Sequence, residues 1–113
     1  MWNVVAASEF TDWFDEVDEE AQVDIREKLR VLETLGPQLG RPLVDTIKES
    51  RHKNMKELRV QSNGRPFRIF FTFDSKRNAV LLIGGDRTGD ARFYKKMIPK
   101  ADAIFDEYLE DLE

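Results

Sequence analysis

The chain has no cysteine and one histidine, His52, in 113 residues. The first absence excludes disulfides and thiolate metal ligands, and the second excludes a multi-histidine metal centre. No metal and no other cofactor is expected. No stretch approaches the roughly 18 consecutive apolar residues of a membrane-spanning helix, so no membrane partner is expected. The opening MWNVVAASEF lacks the basic n-region and long apolar core of a signal peptide. Together these point to a soluble, cytoplasmic protein.

Basic residues are scarce at both ends. Residues 1–35 hold 10 acids against 3 bases, and residues 101–113 hold 6 acids and no base. The centre is the reverse: residues 41–100 hold 15 Lys/Arg against 6 Asp/Glu, inside a chain of net charge −4. A segregated basic centre is the electrostatic footprint of a polyanion-binding face. A solvated sheet edge protected by lysines gives the same count, so charge alone leaves both open.

The length fits one domain spanning 1–113. Trp2 to Ala7 form a short β-prone opening. Ser8 is a candidate N-cap, and Phe10, Trp13, Phe14 and Val17 recur at helical spacing. Asp18 is a second candidate N-cap, followed by the apolar stripe Ala21, Ile25, Leu29 and Leu32 up to Gly36-Pro37. Residues 36–54 are expected to connect without regular structure, tethered by Leu39, Leu43, Val44 and Ile47. Three strands are expected at Met55–Gln61, Phe67–Phe73 and Ala79–Ile83. A C-terminal helix from about Asp90 carries Ile98, Ala101, Phe105, Tyr108 and Leu112 on one face, with Pro99 as a potential break. The order β-α-α-β-β-β-α describes an α+β domain: a small, twisted, mostly antiparallel sheet with two N-terminal helices packed on it and a C-terminal helix. The helix pair is long enough to carry the first strand across to a parallel neighbour.

Asn63-Gly64 is the strongest short hairpin signal in the chain. A two-residue turn there makes cross-strand partners sum to 127, which sets Arg59 directly opposite Arg68. Like charges so placed need a counter-charge. Glu57, on the same face, can supply it, and an RNA phosphate can do so as well. Phe67, Ile69, Phe71 and Phe73 then form the buried face, which leaves Arg68 exposed on the other. Lys56 falls on the opposite face from Arg59, Arg65 falls beside the turn, and His52 sits in a basic loop. Arg87, Arg92, Tyr94, Lys95 and Lys96 form a basic cluster around an aromatic, the combination that holds single-stranded RNA by stacking and phosphate contacts. GGDRTG has neither P-loop nor dinucleotide spacing, so nucleotide binding by this loop is rejected.

The strings LGRPLVD, KELRV, GRPFRIFFTFD and LLIGGDRTGDARFYKKMIPKADAIFDEYL, in that order, resemble the toxins of type II toxin–antitoxin pairs. The resemblance is to the RelE/ParE superfamily, in its HigB-like, phage-derived branch, and it covers nearly the whole chain. It implies a ribosome-dependent mRNA endoribonuclease that inhibits translation, using the RNA 2′-hydroxyl and no metal. Carried over by position, it implies Arg68, Arg87 and Tyr94 as catalytic, with Lys56 and Arg59 upstream. Arg65, Arg92, Lys95, Lys96 and His52 would then contact RNA or the ribosome. The chemistry needs cations on the phosphate oxygens and proton transfer at the 2′- and 5′-oxygens. A Lys or Tyr serves the second need if neighbouring cations lower its pKa. The resemblance also implies a cognate antitoxin, a helix-turn-helix protein. Two alternatives stay within the superfamily: a ParE-like DNA gyrase inhibitor, or a catalytically inactive toxin-fold binding protein.

Overall fold

The computed structural model describes residues 1–112. Strand β1 (Asn3–Ala6) leads into helices α1 (Ser8–Glu16) and α2 (Glu19–Leu35), then a 3-10 turn at Gly36–Gln38. Strands β2 (Val44–Thr46), β3 (Lys56–Ser62), β4 (Arg65–Phe73) and β5 (Asn78–Asp86) follow, and helix α3 (Phe93–Asp111) is the last element among the described residues. The five strands make one sheet in the order β1-β5-β4-β3-β2. Only β1, which pairs with β5, is parallel to its neighbour. The α+β class and the mostly antiparallel sheet expected from the residues are both present.

The β3–β4 hairpin turns on Asn63-Gly64, both at positive φ, 50° and 76°, as a two-residue loop matched to strand twist requires. The register sums to 127 throughout, and Arg59 pairs with Arg68.

Both faces of the sheet are buried. Phe67, Ile69 and Phe71 pack with Phe10, Ala21, Ile25 and Leu32 of α1 and α2. Phe70, Val80 and Leu82 pack with Phe93, Met97, Ile98 and Ala101 of α3 on the other face. The near-continuous apolar runs in β4 and β5 are what a doubly covered sheet demands. A bulge adds to this: Phe70 pairs with Ile83 and Phe71 with Leu81, so Leu82 is an extra residue and joins Ile83 on the α3 side. Gly84-Gly85 lets both layers approach. A Cβ at Gly84 would meet the Trp13 ring at 2.3 Å, and one at Gly85 would meet Phe93 at 2.8 Å on the opposite face.

Four local expectations differ from the structure. The connector contains β2, which pairs antiparallel with β3; three residues in a Pro- and Gly-flanked segment carry too little pattern to announce a strand. Ser8 lies inside α1, and Ala7 is its N-cap, with no side-chain bond. Pro99 does not divide α3, which runs unbroken from Phe93 to Asp111. Pro99 and Lys95 both lie on the solvent side, where water can serve the Lys95 carbonyl that proline leaves without a donor. Finally, Arg68 is not exposed: it is 9% accessible, beneath the start of α3. Asp18, by contrast, does cap α2, accepting from Ala21 N at 3.4 Å.

Candidate nucleic-acid interface

Strands β3 and β4 place Glu57, Arg59 and Arg68 on the face that α3 covers only in part. The Glu57 carboxylate sits at the centre, with 4% of its side chain exposed. Its Oε2 accepts from Arg59 Nη2 at 3.1 Å and Nε at 3.3 Å. Its Oε1 accepts from the Tyr94 hydroxyl at 2.7 Å and lies 3.6 Å from Arg68 Nε. Arg68 also donates to the Tyr94 hydroxyl oxygen at 3.4 Å and, through Nη1, to the Phe67 carbonyl at 3.0 Å. The like-charged pair across the hairpin is thus bridged by a buried carboxylate.

The cluster extends in both directions. Arg87 follows the last strand and lies over the Tyr94 ring, its Cζ 5.5 Å from the centroid. On the other side Arg59 Nη2 reaches Asp45 Oδ2 at 3.2 Å, and Arg41 approaches the same oxygen at 3.8 Å. A row of cations, Arg87, Arg68, Arg59 and Arg41, therefore alternates with Tyr94, Glu57 and Asp45. A cleft of about 460 Å³ opens beside it, lined by Lys28, Pro42, Leu43, Arg59, Gln61 and Arg68. With only two carboxylates among these cations, the cleft attracts an anion, and guanidinium forks suit phosphate oxygens.

Tyr94 does not have the lowered pKa that neighbouring cations would confer. Burial, then the hydrogen bond it donates to Glu57, push its phenol above the usual range, and the opposing pull of Arg68 is smaller. Tyr94 keeps its proton at neutral pH and is a hydrogen-bond donor, not a base.

The structure brings Arg59, Arg68, Arg87 and Tyr94 together and leaves other candidates apart. Lys56 pairs with Phe71 on the α1–α2 side of the ladder and donates to Thr46 Oγ1 at 3.2 Å. Arg65 pairs with Asp18 at 2.7 Å and lies over Phe67, bracing the α1–α2 junction. His52 Nε2 meets Asp106 at 2.7 Å, and its ring stands edge-on to Phe105. Lys96 pairs with Asp90 at 2.6 Å. Arg92 and Lys95 are exposed. Lys28 and Gln61, which line the cleft, had no motif to single them out.

Comparison with known proteins agrees with this architecture. Residues 12–106 match the model of the family described as Phage derived protein Gp49-like. The "Putative toxin HigB3" of Mycobacterium tuberculosis is 39% identical over 107 residues, covering 94% of this chain and 92% of that protein. The "Putative toxin HigB2" of the same organism is 45% identical over 103 residues, covering 89% of this chain and 51% of that protein. The chain thus spans about half the length of HigB2. Among solved structures, a mutant of the Escherichia coli toxin RelE in the free state superposes with a TM-score of 0.61 at 6% identity, over 85% of this chain and 94% of that one. That likeness is one of fold. The RelE-like fold is thus shared, and the chain belongs to the phage-derived Gp49-like family, with the HigB2 and HigB3 toxins among its relatives.

Proposed function

We propose that this protein is the toxin of a type II toxin–antitoxin pair and that it cleaves mRNA on the ribosome. The observation that carries this reading is the Arg59–Glu57–Arg68 bridge with Tyr94 on it and Arg87 above Tyr94. It is a set of guanidiniums held in place before any ligand arrives. In the reaction the 2′-hydroxyl gives its proton to solvent water as its oxygen attacks phosphorus, the 5′-oxygen leaves, and the upstream fragment ends in a 2′,3′-cyclic phosphate. Negative charge grows on the non-bridging oxygens, and Arg68, Arg59 and Arg87 are the groups suited to meet it. Tyr94, protonated at neutral pH, is suited to give a proton to the departing 5′-oxygen. Glu57 positions the arginines, since both its oxygens are already occupied by donors.

No cluster of three or more His, Cys, Asp or Glu is placed to hold a metal ion among the described residues; the steps proposed above use no metal. No helix among them is long and apolar enough to cross a membrane; cytoplasmic action as one domain is part of the proposal. A helix-turn-helix antitoxin that covers the cationic row is the partner proposed. The acidic outer faces of α1 and α2 would point away from ribosomal RNA.

The test is expression of this protein alone and together with any helix-turn-helix protein encoded beside it, followed by mapping of mRNA 5′ ends. Growth arrest with new cleavages inside translated codons supports the proposal. Arrest with intact transcripts and a DNA-damage response supports the gyrase alternative instead.

A further inference from the structure

A second cavity, about 430 Å³ in volume, is lined by Glu49, Tyr94, Lys95, Ile98 and Pro99. Its floor is apolar and partly aromatic, while its rim carries one carboxylate and one ammonium. Neither Glu49 nor Lys95 has an ion-pair partner within 4.0 Å among the described residues. Pro99 adds an acceptor: having no N–H, it leaves the Lys95 carbonyl without its helical donor.

The two walls are pinned to each other. Asp102 of α3, 3% exposed, accepts from Ser50 Oγ at 2.5 Å and Arg51 N at 3.2 Å. Ser50 Oγ in turn accepts from His52 N at 2.9 Å, and Arg51 and His52 both reach Asp106. The segment carrying Glu49 is thereby fixed against the helix that carries the other four lining residues. A wall held by a buried carboxylate is preorganised rather than a chance dent.

We propose that this cavity binds a guanine base of the substrate RNA. The inference rests on the RNA-cleaving reading and names the base next to the scissile phosphate. An apolar floor beside an aromatic ring takes any base by stacking. The rim selects among them. Guanine offers N1–H and N2–H₂ to the Glu49 carboxylate and the Lys95 carbonyl, and O6 and N7 to the Lys95 ammonium. Adenine and cytosine present an amino group with no ring N–H beside it, and uracil presents a ring N–H with no amino group, so guanine alone offers both donors side by side. Tyr94 joins the two sites, since its ring lines the cavity and its hydroxyl sits on Glu57 beside Arg68.

The test has two independent arms. In the first, the Ile98 methyl signals are followed by NMR while the purified protein is titrated with each of the four nucleoside monophosphates. Guanosine monophosphate should bind about fivefold more tightly than the others, and Glu49→Ala should level the four. Equal shifts from all four, or shifts confined to residues away from Ile98, overturn the proposal. In the second arm, cleavage sites are mapped for wild type and Glu49→Ala. A guanine enriched at one fixed position beside the cut, and lost in the variant, supports it. Cleavage with no such enrichment in wild type overturns the guanine site and leaves the nuclease standing. Guanosine binding with no cleavage of any RNA keeps the site and overturns the nuclease.

Discussion

Arg59 and Arg68 stand directly opposite each other in the β3–β4 register, and one carboxylate, Glu57, holds both. The consequence for stability is direct. Glu57→Gln keeps the shape but leaves two guanidiniums facing each other with no charge between them. Removing one member of a buried ionic cluster costs about 3 kcal/mol. Urea denaturation should show a midpoint lowered accordingly, with an unchanged slope. An unchanged midpoint would mean that solvent already screens the pair.

The site is one-sided, and that predicts which basic residues matter. Arg59→Ala, Arg68→Lys and Arg87→Ala should each abolish growth arrest at equal expression, since each alters the cationic row. Lys56→Ala should leave arrest intact, because Lys56 lies on the other side of the ladder against Thr46. Arg68→Lys is preferred to Arg68→Ala because the side chain is largely buried and a Lys keeps charge and volume while losing the fork. Full arrest by Arg68→Lys, or loss of arrest in Lys56→Ala, would move the site.

Both tyrosines should titrate late. Burial and hydrogen bonds to carboxylates, Glu57 for Tyr94 and Asp74 for Tyr108, raise each phenol above 10.0. Ultraviolet titration of the folded protein should show no phenolate step at the free-tyrosine pH. The folded state holds these protons more tightly than the unfolded chain. Their contribution to stability is therefore complete below the unfolded pKa and is lost as pH rises through the folded one. Tyr94→Phe should lessen that alkaline loss. A phenolate step at pH 10 in the folded protein would contradict the burial of both hydroxyls.

Gly84 seats the α1 layer. Gly84→Ala sets a Cβ 2.3 Å from the Trp13 ring, and overpacking of this kind costs about 1–3 kcal/mol. Thermal unfolding should fall by several degrees. Gly64→Ala has open space around its Cβ, so any loss there comes from its positive φ alone.

The hairpin was the most legible part of the fold. Asn63-Gly64 fixes a turn length, the turn fixes the register, and the register alone sets Arg59 against Arg68. The helical stripes of α1 and α2 were equally plain, since Phe10, Ala21, Ile25 and Leu32 all face one core. What lay hidden was non-local. The apolar run in β4 shows that its residues are buried, yet not that α3 returns to cover the Arg68 face. For the same reason the sequence placed Arg68 in solvent and left open whether neighbouring cations lower the Tyr94 pKa. Glu57 was visible as a counter-charge, whereas its bond to Tyr94 spans 37 positions and no local pattern encodes it. Arg65 and His52 belong to a basic stretch by composition; their acidic partners, Asp18 and Asp106, come from the two ends of the chain.

The central claim, that Arg59, Arg68, Arg87 and Tyr94 act on an RNA phosphodiester, is tested most directly by the chemistry of the cut ends. Purified protein is added to a translating ribosome system from which transition metals are removed, with the Mg²⁺ that ribosomes need retained. The upstream fragments should carry a 2′,3′-cyclic phosphate or 3′-phosphate, and Arg68→Lys should yield none of them. Upstream fragments ending in a 3′-hydroxyl, or equal cleavage by Arg68→Lys, would contradict the account.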